Sequence, residues 1–94
     1  MERKIKTFSY HWGSGHVAEE AQVTGPYNMP TFQLLKYTEG NAAGHTSVRF
    51  CHYSHDGRFR RSPLMISAEE IDMMRDALKE TPKLRALLKQ LTQD

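Results

Sequence analysis

The start of a helix at Ser67 constrains the fold of this chain more than any other feature of the sequence. Ser67 and Glu70 have the spacing of a capping box, in which each side chain accepts a hydrogen bond from the other residue's backbone N–H. Such a device satisfies N–H groups that the start of a helix otherwise leaves unpaired. Ile71, Met74 and Leu78 then follow at helical spacing. A helix is therefore predicted to begin directly after Ser67.

Thr81 and Pro82 interrupt this helical pattern. Proline suits the first position of a helix, where its missing N–H costs nothing, and Thr81 occupies the capping position before it. Leucines then recur at i, i+3, i+4 and i+7, at Leu84, Leu87, Leu88 and Leu91. The segment over about residues 68–91 is thus predicted to be a kinked or two-part helix with one apolar stripe.

The residues before the helix alternate with period two, which is typical of β-strands. In residues 5–12, Phe8, Tyr10 and Trp12 share one face. Such an aromatic stripe favours a buried core over an exposed platform on which bases could stack. The glycine-rich residues 13–15 are expected to end this strand.

Further strands are predicted over residues 31–38 and 46–54, while residues 16–24 fit either a strand or a helical turn. Asp56-Gly57 is a strong hairpin signal, so residues 58–61 are predicted to return as the partner of the preceding strand. The chain is therefore predicted to be a single α+β domain. Its four-stranded antiparallel sheet, over about residues 5–66, would be followed by the C-terminal helical segment.

Composition narrows the class of protein. The chain has 94 residues and one cysteine, Cys51, which predicts one domain without an internal disulfide, as in a reducing compartment. No apolar run approaches the length of a membrane span, and no apolar stretch follows the basic N-terminus as in a signal peptide. We expect a cytoplasmic protein that does not associate with membranes. Because short chains bury modest cores, we also expect a homodimer.

Basic and aromatic side chains cluster in the predicted hairpin. Residues 44–63 contain four arginines against one aspartate, whereas residues 67–80 are acidic overall. Binding of single-stranded nucleic acid requires cations for phosphates and aromatic faces for bases, and alternate residues of a strand can present both. The residues that would do so are Arg49, Tyr53, Arg58, Phe59, Arg60 and Arg61. The alternative is a solvated sheet face on which the arginines serve only solubility.

Catalytic and metal-binding patterns are absent from the sequence. Ser54, His55 and Asp56 contain the residue types of a catalytic triad, but three consecutive residues cannot adopt its geometry. The chain has no phosphate-binding loop and no dinucleotide fingerprint. Its five histidines and Cys51 have no recognised zinc spacing. The sequence therefore predicts neither an enzyme nor a cofactor or metal site.

Two stretches resemble a known family of transcription factors. Residues 47–59, SVRFCHYSHDGRF, look like the strand and acidic-glycine turn of the positive-cofactor-four (p15) transcriptional coactivators. Residues 64–71, LMISAEEI, resemble the segment that leads into the helix of that family. The resemblance covers about sixty residues, within the wider group of Whirly-like single-stranded nucleic-acid-binding proteins. The repeat of the purine-rich-element-binding proteins has a similar order of elements, and the sequence does not separate the two.

The resemblance implies a curved four-stranded antiparallel sheet, a C-terminal helix, a homodimer and binding of single-stranded DNA across the sheet. Carried over by position, Arg58, Arg60 and Arg61 would contact phosphates, and Phe59 and Tyr53 would stack on bases. We therefore expect a sequence-tolerant domain that binds single-stranded DNA or RNA, in transcription or genome maintenance. The alternative is a small protein-interaction or regulatory domain of the same fold that binds no nucleic acid.

Overall fold

A computed structural model of the chain describes residues 5–60 and 63–93. Five strands form one antiparallel sheet, in which each strand pairs with the next along the chain. The strands are β1 (Thr7–Tyr10), β2 (Gly13–Gln22), β3 (Met29–Glu39), β4 (Thr46–Tyr53) and β5 (Leu64–Ser67), and the helices that follow are α1 (Ala68–Leu78) and α2 (Pro82–Lys89). The α+β class and the order of sheet before helices are confirmed. The sheet has five strands and not four.

The glycine-rich residues 13–15 were predicted to end the first strand, and this prediction was wrong. They are instead the first residues of β2. The turn lies instead at His11 and Trp12. A Cβ atom on Gly15 would lie 1.9 Å from the carbonyl oxygen of Lys36, so glycine there allows β2 to approach β3. The pairing of the two strands shifts register between Ser14 and Gly15. Residues 16–22, left open between strand and helical turn, belong to the strand.

The last strand is also displaced from its predicted position at residues 58–61. Asp56-Gly57 does form a turn, with Gly57 at a φ of 88°. Residues 58–60 return beside the end of β4, but only Phe59 forms a bridge, with Tyr53. The continuous partner of β4 is β5, which carries apolar side chains where the predicted strand carries charged ones. Arg61 lies outside the described residues.

The core lies on the inner face of the sheet, around Phe8, Leu35 and Tyr37. The Phe8 and Tyr37 rings meet edge to face, with their centroids 5.0 Å apart. Tyr10 and Trp12 are half-buried against this cluster. The hydroxyl of Tyr10 on β1 reaches Arg49 on β4, although β2 and β3 lie between these strands in the sheet. The sheet is therefore strongly curled.

The start of α1 is confirmed in detail. The Ser67 hydroxyl accepts a hydrogen bond from the N–H of Glu70 at 3.2 Å, and the Glu70 carboxylate accepts one from the N–H of Ser67 at 3.0 Å. The two-part helix is confirmed too, with Pro82 as the first residue of α2. Thr81 is its N-cap residue but makes no side-chain cap bond, since its hydroxyl donates to the carbonyl oxygen of Leu78.

Neither helix buries a side chain in this chain alone. Apolar side chains are exposed along both helices and just after α2, namely Ile71, Met73, Met74, Leu84, Leu87, Leu88 and Leu91. Over residues 5–60 and 63–93, no helix is both long enough and apolar enough to cross a membrane.

Candidate functional site

The inner face of the sheet opens into a groove of about 560 Å³ between β1 and the connection from β4 to β5. We call it the β1 groove. Two cationic and four aromatic residues contribute to its lining, and these are Lys6, Arg49, Phe8, Tyr10, Tyr53 and Phe59. It is the place in the described chain where cationic and aromatic side chains converge, so it is the candidate site.

Arg49 forms the floor of the β1 groove and is only 5% exposed. Its Nε donates to the side-chain oxygen of Gln33 at 2.7 Å, and its Nη1 donates to the Tyr10 hydroxyl at 2.9 Å. The guanidinium carbon lies 4.7 Å from the centre of the Phe59 ring, a cation–π contact. The guanidinium is thus held in one orientation by neutral partners on two strands, β1 and β3, and on the β4–β5 connection.

No carboxylate of the described residues lies within ion-pair distance of Arg49. Within the same part of the chain, every fully buried side-chain nitrogen or oxygen has a hydrogen-bond partner. The Nη2 atom of Arg49 makes no hydrogen bond to a described residue, and Arg49 lines the groove. The site therefore offers a fixed cationic donor that an incoming anion or carbonyl oxygen can engage.

Lys6 is neutralised by an ion pair, unlike Arg49. Its ammonium lies 2.7 Å from the carboxylate of Glu20 and 4.5 Å from the centre of the Tyr53 ring. Glu20 also accepts a hydrogen bond from Gln33 at 2.7 Å. Partial burial raises the pKa of Glu20, but the hydrogen bonds from Lys6 and Gln33 and the charges of Lys6 and Arg49 bring it below its ordinary value. Arg49 is consequently the main uncompensated cation of the floor.

Tyr53 and Phe59 differ in how far a base could reach them. Tyr53 is 8% exposed, and its hydroxyl accepts a hydrogen bond from Gln33 at 3.0 Å. Phe59 is 42% exposed and meets the Tyr53 ring edge-on, with the centroids 5.4 Å apart. Phe59 is the ring available for stacking, whereas Tyr53 is buried and packs against the Phe59 ring.

The structure brings together three of the predicted site residues, Arg49, Tyr53 and Phe59. Arg58 and Arg60 are exposed on the adjoining connection and do not line the groove. The Arg58 guanidinium lies 3.4 Å from the Asp56 carboxylate, and the side chain is 80% exposed. Arg61, the sixth predicted residue, is outside the described residues. The two described arginines therefore lie on either side of Phe59 in the sequence, exposed at the margin of the groove.

Five residues of the site were not predicted as site residues from the sequence: Lys6, Phe8, Tyr10, Glu20 and Gln33. Phe8 and Tyr10 were identified only as part of the aromatic stripe. Gln33 is 2% exposed and lies between the buried residues Thr31 and Leu35 of the same face, so its signal is a polar residue at a core position of β3. Its pairing with Arg49 depends on the register between β3 and β4, which cannot be read from the sequence.

Ser54, His55 and Asp56 stabilise a turn. The Ser54 hydroxyl donates to Asp56 and accepts from the N–H of Arg58, while His55 Nε2 donates to the carbonyl oxygen of Gly25 at 2.8 Å. The bond from His55 links the β4–β5 connection to the β2–β3 hairpin. No group of three or more potential metal ligands of the His, Cys, Asp and Glu types occurs among the described residues.

No family model, no curated protein and no solved structure matches this chain. The resemblance to the p15 coactivators thus stays a prediction from the residues that carry it.

Proposed function

We propose that this chain binds single-stranded nucleic acid, DNA or RNA, with little preference for sequence, and that the β1 groove is its contact surface. The observation that carries the proposal is the fixed guanidinium of Arg49, which has no carboxylate partner in the described chain and lies beside the exposed ring of Phe59. A cation and an aromatic face at one site are what a strand with charged phosphates and unpaired bases requires.

Each part of the site has a role in this proposal. Phe59 stacks on a base, and Tyr53 holds the Phe59 ring in place. Arg49 donates from Nη2 to a phosphate or a base carbonyl oxygen, while Arg58 and Arg60 attract the backbone on either side. Arg58 releases Asp56 at little cost, since both partners of this ion pair are exposed to solvent.

A single strand fits this geometry better than a duplex. The cationic floor and the supporting ring lie inside a concave face, and Arg49 is almost entirely buried. In a duplex the bases are already stacked on one another and offer no free face to Phe59. The resemblance to the p15 coactivators supports the same preference, and with it a role in transcription or genome maintenance.

We also propose that two copies of the chain assemble as a homodimer. Both helices expose their apolar stripes, and a side chain such as Leu87 is 62% exposed in one chain. A second copy would cover these surfaces, and a chain of 94 residues gains stability from doing so.

The same exposed stripes favour one alternative function, a small protein-interaction domain whose partner covers the helices. Fluorescence anisotropy separates the two functions. Labelled single-stranded and double-stranded oligonucleotides of equal length are titrated with the protein at low salt. Tighter binding of the single strand supports the proposal, and the absence of any binding to it leaves the interaction domain.

A further inference from the structure

A second cavity, of about 530 Å³, opens at the other end of β1. We call it the Trp12 cavity, and its lining includes Trp12, Tyr37, Ser47, Met65 and Glu69. It lies on the same face of the sheet as the β1 groove, because Met65 of β5 stands opposite Arg49 of β4 in the register. Both openings therefore lie on one face of the curled sheet, the β1 groove beside β1 and the Trp12 cavity beside β5.

Tyr10 connects the two openings. It lines the β1 groove, and its ring stacks on that of Trp12 with the centroids 4.8 Å apart and the planes 1° from parallel. The indole is fixed in turn, because its Nε1 donates to the hydroxyl of Tyr37 at 3.0 Å. A row of aromatic rings in contact thus runs from Phe8 through Tyr10 to Trp12.

The polar lining of the Trp12 cavity differs from that of the β1 groove. Neither lysine nor arginine lines it within the described ranges, and polar side chains of other types are Asn41, His45, Thr46, Ser47 and Ser67. Glu69 and Glu70 supply negative charge at the start of α1. Hydrogen bonds from the backbone and side chain of Ser67 lower the pKa of Glu70, which keeps that carboxylate ionised at neutral pH. The cavity suits an uncharged planar group with hydrogen-bonding edges and disfavours a phosphate.

From this geometry, and resting on the proposed function, we infer that the Trp12 cavity is a second base subsite for the same single strand. One base stacks on Phe59 in the β1 groove. A later base of the strand enters the Trp12 cavity with its sugar and phosphate directed outward, away from the carboxylates. Amide and hydroxyl groups are available to hydrogen-bond the edge of whichever base enters, which is consistent with tolerance of sequence.

Trp12 is the only tryptophan of the chain, so its emission reports on this cavity without any substitution. The experiment titrates the wild-type protein with oligothymidylates of about two to about twelve nucleotides, a range that brackets the usual site size of single-strand-binding domains. Anisotropy of the same oligomers, labelled at one end, measures affinity independently. We expect the shortest oligomers to bind without changing Trp12 emission. Longer ones should quench it and bind about 5- to 150-fold more tightly, the range for one additional stacked base.

Glu69→Gln supplies the second arm, because Glu69 is exposed and is not part of the capping box. Removing this charge should tighten binding of the long oligomers several-fold and leave the shortest unaffected. Glu80→Gln is the matched control, since Glu80 is exposed beyond α1 and lines neither opening.

Two failures are distinguishable. If no single strand binds by anisotropy, the proposed function itself is wrong. If long oligomers bind but leave Trp12 emission unchanged, or bind Glu69→Gln no better than the parent, the second subsite is wrong and the β1 groove acts alone.

Discussion

The guanidinium of Arg49 shows how one residue connects the packing of this chain with its proposed function. Moving a charge out of water is costly unless hydrogen bonds replace its hydration. Gln33 and Tyr10 supply those bonds, and Phe59 covers one face of the guanidinium. No carboxylate of residues 5–60 or 63–93 neutralises it, although Glu20 lies nearby and pairs with Lys6. The guanidinium therefore keeps a positive charge on the floor of the β1 groove, which supports the proposed binding of an external anion there.

Phe59→Ala tests the stacking role at this residue. We expect binding of a single strand to weaken by about 1–3 kcal/mol, because one base loses its aromatic face, while the salt dependence of binding stays nearly unchanged. Folding stability should fall by clearly less than the ~3–5 kcal/mol typical of a buried phenylalanine, since the ring is 42% exposed. Anisotropy at several salt concentrations and urea denaturation measure the two effects. Tyr27→Ala, at a side chain 91% exposed outside both openings, is the control and should alter neither.

Glu20 predicts a dependence of stability on pH. Its folded-state pKa lies below the ordinary value, so the folded protein binds fewer protons than the unfolded chain in acid. The stabilisation is therefore complete above the unfolded pKa of about 4.3 and is lost as pH falls through the lower folded value. Urea midpoints between neutral pH and about pH 3 should show Glu20→Gln less stable than wild type at neutral pH, with the difference shrinking in acid. A difference that is constant with pH would contradict this assignment, and Glu80→Gln is the control.

At the scale of single elements, local signals were predictable and non-local ones were not. The capping box at Ser67 and the turn at Gly57 depend on residues a few positions apart, and both occur as predicted. The start of β2 depends on how closely Gly15 approaches Lys36, and the position of β5 depends on how far the chain runs past Phe59 before pairing again. Those positions are decided by contacts between strands, which periodicity within one segment does not reveal.

Ser67→Ala should lower the free energy of unfolding by about 1 kcal/mol, because the N–H of Glu70 loses its acceptor at 3.2 Å. Urea denaturation measures this, with the exposed Ser9→Ala on β1 as the control. Affinity for the shortest oligomers should change little, because Ser67 lies outside the β1 groove. An unchanged midpoint would show that the capping bond does not stabilise the helix in solution.

At the scale of the whole molecule, the curl of the sheet determines the site, and the sequence did not reveal it. Periodicity placed Phe8 and Tyr10 on one face of β1 and Arg49 on a face of β4. Nothing in either segment shows that β1 folds over to meet β4, so the β1 groove could not be derived from the pattern. The clustering of basic and aromatic residues did identify Arg49, Tyr53 and Phe59, because these lie on one strand and the turn that follows it.

The exposed helices predict the state of assembly. We expect light scattering at micromolar concentration to show a species of twice 10.9 kDa. Leu87→Glu should convert it to a monomer, because a charge would enter an apolar interface, while the single chain tolerates the change at a side chain that is 62% exposed. Gln90→Glu, at an exposed polar position just after α2, is the control. A wild-type protein that light scattering shows to be a monomer would contradict the dimer.

The distribution of charge over the molecule gives the last prediction, which separates the two candidate functions. The net charge is only +2, so affinity for a polyanion has to come from local clusters, and Arg58 and Arg60 form one at the margin of the β1 groove. If each contacts a phosphate, replacing it with alanine removes one released counterion, and the slope of log affinity against log salt should fall by about 0.7 per arginine. Arg61→Ala, combined with the other two, extends the series. Arg85→Ala on α2 changes the net charge equally but lies outside both openings, so it should leave the slope almost unchanged.

A triple variant that binds as tightly as the parent, with the same salt dependence, would show that the three arginines are not part of the contact surface. A wild type that binds no single strand even at low salt would leave a domain whose exposed helices bind another protein.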